Sequence, residues 1–268
     1  MSLHAVDDID SEGWAFYRRA LEKLHEAEVP FLVGGAYALE THTGIVRRTK
    51  DFDIFVLATD AQPALEVLRL AGYKTELTFP HWLGKAFYKD DLIDIIFNSG
   101  NGTCPVDQQW FEHAGEAMVL DLPLRTCPAE ETIWQKAFIL ERDRCDEADV
   151  AHLLRACGQR LDWQRLLRRF GDHWRVLYAH LVLFGFIYPS ERAAIPAWVM
   201  QHFAELLAAE AKSSPAGDRI CNGTLLSATQ YLRDLKADGY QDGRRIPYGN
   251  MTANDIRHWT NSFTRRKE

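Results

Sequence analysis

Arg47-Arg48-Thr49-Lys50-Asp51-Phe52-Asp53-Ile54-Phe55-Val56 is the stretch on which the reading of this chain turns. Phe52 to Leu57 reads as a central strand, and a strand alternates its faces with period two, so Asp51 and Asp53 point the same way while Phe52 and Ile54 point the other. Upstream, Phe31-Leu32-Val33 is a short apolar strand that runs into Gly34-Gly35. A Gly-Gly turn that opens a helix offers bare backbone N–H groups to a phosphate. Downstream, Asp94 lies inside the apolar run Leu92-Ile93-Asp94-Ile95-Ile96-Phe97. A carboxylate among isoleucines is costly unless something pairs with it. Three carboxylates that converge form a hard oxygen site suited to magnesium. Phosphate cradle and magnesium site together point to phosphoryl-type transfer from a nucleoside triphosphate.

Around this segment the pattern is mixed. Trp14, Tyr17, Leu21 and Leu24 share a helical face that Ser11 is placed to cap, and Pro30 ends it. Residues 36–43 suit one or two helical turns closed by Gly44, and Ala61 to Ala71 reads as a helix ended by Gly72. Tyr73 to Phe79, Lys85 to Tyr88 and Leu92 to Phe97 alternate as strands, and Val119 to Leu124 is a candidate edge segment. After Pro128 the periodicity becomes helical: residues 130–140, 145–157, 161–170, 173–186, 196–211, 224–237 and 252–263. The fold class expected is α+β, with a mixed-sheet domain over residues 1–127 followed by an all-helical domain over residues 128–268.

Order and spacing of these elements resemble the nucleotidyltransferase superfamily with the polymerase-beta-like fold. Among its members the chain looks most like the small bacterial lincosamide and aminoglycoside nucleotidyltransferases and the abortive-infection toxin group. The residues that carry the resemblance are Gly34, Gly35, Arg47, Thr49, Asp51, Asp53 and Asp94, within residues 28–100. A fainter echo follows in Glu131-Thr132-Ile133-Trp134-Gln135-Lys136 and Arg142-Asp143-Arg144-Cys145-Asp146-Glu147-Ala148-Asp149. The resemblance implies that Asp51, Asp53 and Asp94 are catalytic metal ligands holding two magnesium ions. It also implies that Gly34, Gly35, Arg47, Thr49 and Lys136 contact the nucleotide. The expected reaction is in-line attack of an acceptor hydroxyl on the α-phosphate, with pyrophosphate leaving. The acceptor stays open between a small molecule such as an antibiotic, an RNA end and a protein side chain, and the nucleobase is not fixed by the motif. A second reading is a silent nucleotide- or partner-binding module of the same fold. For it speak the unassigned stretch 225–259 and the surface-like segments Gln230-Tyr231-Leu232 and Asp238 to Arg245.

Composition narrows the remaining classes. The 268 residues carry a net charge of −7, which argues against a broad sequence-independent grip on nucleic acid. The N-terminus lacks the basic and apolar regions of a signal peptide and no run approaches a membrane span, so a cytoplasmic protein without a membrane partner is expected. The five cysteines are scattered, with no Cys-x-x-Cys pair, and read as reduced thiols. There is no P-loop, dinucleotide fingerprint, Gly-x-Ser-x-Gly elbow or His-Glu-x-x-His helix. His81-Trp82 reads as a core edge or as a stack for a base or acceptor. Arg165, Arg168 and Arg169 read as a basic helix face, solvated or guiding RNA phosphates, and Trp134, Trp163, Trp174, Trp198 and Trp259 as mostly core. No heptad pattern supports dimerisation through the helical half.

Overall fold

In a computed structural model, which describes residues 11–47, 49, 51–214 and 217–265, the chain divides into two compact units. The first comprises Met1–Pro128 with Gly249–Glu268, and the second comprises Ala129–Tyr248. The last twenty residues, read from sequence as part of the helical half, thus group with the first unit.

The first unit runs α1 (Ser11–Glu26), β1 (Leu32–Val33), α2 (Gly35–Thr43), β2 (Asp51–Phe55), α3 (Ala61–Leu70), β3 (Lys74–Phe79), β4 (Leu83–Tyr88), β5 (Asp91–Ile96), α4 (Gln108–Glu112), β6 (Gly115–Val119) and β7 (Leu122–Thr126). The seven strands form one mixed sheet in the order β3-β4-β5-β2-β1-β7-β6. β2 pairs parallel with β5, and β1 parallel with β7, while the other neighbours are antiparallel. One face of the sheet buries Phe52, Ile54, Ala86, Ile93 and Ile95 in a core with Tyr17, Leu21 and Leu24 of α1 and Ala64, Leu65 and Leu68 of α3. Those residues fall at alternate strand positions and at helical spacings of three and four, which is why the sequence pattern was legible there.

The edge segment expected at residues 119–124 is instead a hairpin of β6 and β7. Leu120 and Asp121 at its tip both have positive φ, 52° and 58°, the geometry of a two-residue turn whose twist matches the flanking strands. No Asn-Gly or Asp-Gly marks it, so the turn gave no sequence signal. The short α4, capped by the Asp107 carboxylate that accepts from the Gln109 N–H at 3.0 Å, was likewise not anticipated.

The second unit contains α5 (Ala129–Ala137), α6 (Glu147–Cys157), α7 (Trp163–Phe170), α8 (Trp174–Ile187), α9 (Ala197–Glu210), β8 (Ile220–Cys221), α10 (Leu232–Lys236) and β9 (Gln241–Asp242). The first five helices lie within a few residues of their expected spans and bury Ile133, Leu153, Leu166, Leu177, Leu181, Phe184 and Phe203. The helix expected over 224–237 is only the five-residue α10, preceded by a 3-10 turn at Asn222–Leu225. The segment is held by polar contacts in place of a long amphipathic face. Ser227 Oγ and the Ala228 N–H donate to the Glu141 carboxylate at 2.5 and 2.7 Å. Arg244, expected on a surface patch, is fully buried and donates to Asp242 at 2.7 Å.

The basic face expected at Arg165, Arg168 and Arg169 is solvated only at Arg168. Arg165 bonds Glu130 at 2.5 Å and Arg169 bonds Glu131 at 3.0 Å inside the unit, where Glu131 is fully buried. Burial pushes the Glu131 carboxyl above its usual range, and the two guanidiniums oppose that rise. Trp134 and Trp163 are buried as expected, whereas Trp198 is exposed. α11 (Ala253–Arg265) closes the chain and belongs to the first unit, where Trp259 lies against Gly100. Among the described residues no helix is long and apolar enough to cross a membrane.

Candidate active site

Asp51 opens β2 and Asp53 follows two positions on, so both leave the sheet on the face opposite the Phe52–Ile54 core. The parallel pairing of β2 with β5 sets Asp53 directly beside Asp94. The three carboxylates offer oxygens that all lie within 4.8 Å of one another, the only such group of three potential metal ligands among the described residues. Asp94 is buried, and Asp51 and Asp53 are partly exposed. Three carboxylates at this spacing repel one another, and a divalent cation among them would relieve that repulsion. Its donor set, carboxylate oxygen only, fits magnesium or manganese and does not suit zinc or copper.

Backbone geometry brings the Gly34-Gly35 turn against this cluster. The Gly34 N–H donates to the Asp53 carbonyl at 2.9 Å, and α2 begins at Gly35. Gly35 has a φ of +54°, and a Cβ there would stand 1.9 Å from Asp53 Oδ2. Gly34 has an ordinary φ of −123°, but a Cβ on it would stand 2.1 Å from Cε2 of Phe55. Each glycine is required for a different reason: Gly34 for the core under the strand, Gly35 for room beside a site carboxylate. The start of α2 therefore lies beside the acids, and the N–H groups of its first turn have no intrahelical acceptor.

The other expected residues are placed as follows. Thr49 braces Asp51: its hydroxyl contacts the Asp51 carboxylate and lies 3.1 Å from the Asp51 carbonyl. Arg47 is exposed on the segment between α2 and β2. Its neighbours Arg48 and Lys50 lie outside the described residues. Lys136 belongs to the second unit, on α5, where its ammonium bonds Asp146 and Asp149 at 2.8 Å each, both partners being mostly buried. Those acids come from the Arg- and Asp-rich stretch singled out in the sequence. Burial raises the proton affinity of Asp146, but the Lys136 and Arg144 charges and hydrogen bonds outweigh it and leave the carboxyl below its usual range. His81 and Trp82 are engaged within the first unit: His81 Nε2 lies 3.1 Å from the Gly100 carbonyl, and Trp82 stacks on Phe79 with centroids 5.8 Å apart.

Two residues near the triad escaped the sequence reading. Lys85 of β4 is the cross-strand neighbour of Asp94, and its Nζ donates to Asp94 Oδ1 at 2.5 Å. The alternation Leu83-x-Lys85-x-Phe87 places it on the triad face, but only the β4–β5 register shows which residue it meets. Tyr37 of α2 is fully buried against Phe52, and burial, followed by the charges of Glu40 and Asp53, drives its phenol well above the usual range, so it stays protonated.

No protein-family model matches the chain, and no curated protein is significantly similar to it in sequence. Similar solved structures do exist. The antibiotic-resistance factor ANT(2'')-Ia is 17% identical, with 64% of this chain and 98% of that chain covered and a TM-score of 0.43. The lincosamide antibiotic adenylyltransferase LnuA, solved with lincomycin, is 20% identical, with 53% and 96% covered and a TM-score of 0.39. An antigenic nucleotidyltransferase-like protein from Paracoccidioides brasiliensis is 12% identical, with 63% and 92% covered and a TM-score of 0.36. At such scores the likenesses supply no residue roles, and the chemistry rests on the triad and the turn beside it. Among the solved structures to which this mixed α+β chain is similar are ones named as an adenylyltransferase and as a nucleotidyltransferase-like protein.

Proposed function

We propose that the chain is a metal-dependent nucleotidyltransferase that moves a nucleoside monophosphate from a nucleoside triphosphate to an acceptor hydroxyl. The observation that carries this reading is the convergence of Asp51, Asp53 and Asp94 within 4.8 Å beside the helix-opening Gly34-Gly35 turn. A hard divalent cation and a polyphosphate are the pair of ligands that such a juxtaposition serves.

Asp51, Asp53 and Asp94 would hold the cation, which supplies charge neutralisation at the phosphate oxygens. Thr49 keeps the Asp51 carboxylate oriented, and Gly35 leaves Asp53 the space to face the other two. The Gly34–Gly35 backbone and the first N–H groups of α2 receive the β- and γ-phosphates, and Arg47 adds a positive charge on the same segment. The acceptor oxygen forms a bond to the α-phosphorus as the bond to the bridging oxygen breaks. Pyrophosphate leaves with that electron pair, and the acceptor proton passes to solvent water, Asp94 being held by Lys85. Nucleotide contact by Lys136 is part of the same proposal, although its double ion pair supports a structural duty as well. The first unit is the catalytic domain in this reading, and the helical unit the acceptor- or partner-binding one. A small-molecule acceptor fits the acidic net charge of −7 better than a long nucleic acid.

Calorimetric titration of the four ribonucleoside triphosphates, with magnesium and again with EDTA, tests the reading. Binding of at least one nucleotide that needs magnesium and disappears in Asp53→Asn is the expected result. Equal binding with EDTA, or in the variant, would favour a silent binding module.

A further inference from the structure

The contact between Lys85 and Asp94 bears on how many cations the triad accepts. β4 and β5 are antiparallel and Lys85 stands directly opposite Asp94, so their side chains leave the same face as near neighbours. On the far side of Asp94, in the same row, stands Asp53. The row across the sheet therefore reads Lys85, Asp94, Asp53: ammonium, carboxylate, carboxylate. The ammonium lies 2.5 Å from Asp94 Oδ1, and the Lys85 side chain is only 21% exposed. An ammonium so shielded needs its partner, because turning away would leave it partly desolvated and unpaired.

Two-metal phosphoryl-transfer sites hold their ions about 3.5–4 Å apart, bridged by shared carboxylates. A second divalent ion on Asp94 would have to share its carboxylate with the Lys85 ammonium, and a +1 and a +2 charge on one carboxylate repel strongly. We propose that Lys85 Nζ takes the place of the second cation, so that the triad binds one divalent ion rather than the two expected from the sequence. Asp51, Asp53 and the other oxygen of Asp94 hold that ion, and Lys85 acts as a positioning residue through Asp94. The inference rests on the reading of the triad as a metal site and adds to it a fixed monovalent charge built into the sheet. Exchanging that charge for a neutral side chain makes the cluster one unit more negative and removes the ammonium that a second ion on Asp94 would have to face.

The test is Mn2+ binding to the full chain, with no nucleotide or acceptor present. Electron paramagnetic resonance counts free Mn2+ and detects coupling between closely spaced ions. Wild type should bind one Mn2+ at the triad with no coupled signal. Lys85→Met and Lys85→Gln should bind two, with a coupled Mn2+–Mn2+ signal, and Lys85→Arg should return the count to one. Two coupled ions in wild type, or one ion in folded Lys85→Met and Lys85→Gln alike, would overturn the role of Lys85 while leaving the metal site standing. No Mn2+ bound to any of them, or binding that survives Asp53→Asn, would remove the metal reading itself, and this inference with it.

Discussion

Replacing Gly35 by alanine separates a site effect from a stability effect. At a φ of +54° an alanine costs about 1–2 kcal/mol relative to glycine. The added methyl would stand 1.9 Å from Asp53 Oδ2, 2.8 Å from its Cγ and 3.0 Å from its Cβ, whereas ordinary contact begins at 3.4 Å. The Asp53 side chain must therefore swing away, for about 0.5–1.5 kcal/mol if it leaves its rotamer. Together these make a loss of about 1.5–3.5 kcal/mol, or roughly 3–14 °C in Tm for a domain of this size. The larger consequence is at the triad, where Asp53 no longer faces Asp94, and Mn2+ affinity should fall on the order of tenfold or more. Gly34→Ala supplies the comparison. Its φ is ordinary, and its new methyl meets the Phe55 ring, which stacks on Trp110 with centroids 5.2 Å apart. Overpacking there should cost about 1–3 kcal/mol and leave Mn2+ affinity near wild type. Thermal unfolding and Mn2+ titration of the two variants give both quantities. A folded Gly35→Ala protein whose Mn2+ affinity stays within about twofold of wild type would refute the close-approach argument.

Three further outcomes are expected. Saturating magnesium, at about a hundred times its dissociation constant, should stabilise wild type by about 2.7 kcal/mol and raise Tm by roughly 5–11 °C, and Asp53→Asn should lose the shift; calorimetry with magnesium and with EDTA checks this. Lys136→Met removes the buried ammonium shared by Asp146 and Asp149, leaving Arg144 beside Asp146, and should destabilise the second unit by about 3 kcal/mol, measured by urea denaturation. A loss of nucleotide affinity with no such destabilisation would instead mark Lys136 as a ligand. His180 is buried, with Nε2 3.0 Å from the Ala137 carbonyl, and burial depresses its pKa while that hydrogen bond opposes the shift. A histidine kept neutral by the fold takes up its proton more readily when unfolded. Its stabilising effect is therefore complete above the unfolded value of about 6.5 and declines as pH falls toward the lower folded value. Denaturation at pH 7.5 and 5.5 should show a drop in stability that His180→Gln reduces.

What could be read without a structure was set by local periodicity. Alternation over Phe52-Asp53-Ile54 and over Ile93-Asp94-Ile95 fixed which residues enter the core and which leave it, because a strand exposes alternate positions to opposite sides. The glycine pair, the helix following it and the three acids were all visible on that basis, and so were five helices of the second unit. Short elements without a hydrophobic repeat were not visible: the β6–β7 hairpin, whose turn residues Leu120 and Asp121 carry no turn signature, and the polar segment around Ser227 and Arg244. Charges on an amphipathic helix were misread for a related reason. Arg165 and Arg169 look solvated in a helical projection, but Glu130 and Glu131 of α5 stand opposite them, and a helix does not announce its neighbour.

By itself, then, the sequence determined the mixed α+β pattern, the three acids and the glycine turn, since each depends on residues near one another along the chain. Tertiary structure alone decided that Asp53 lies beside Asp94, that Lys85 meets Asp94 and that Lys136 is held by Asp146 and Asp149. The physical reason is register. Which residue faces which across two strands or two helices follows from the packing of the whole unit, and a slip of one position between strands would send Asp53, Lys85 or Asp94 to the opposite face.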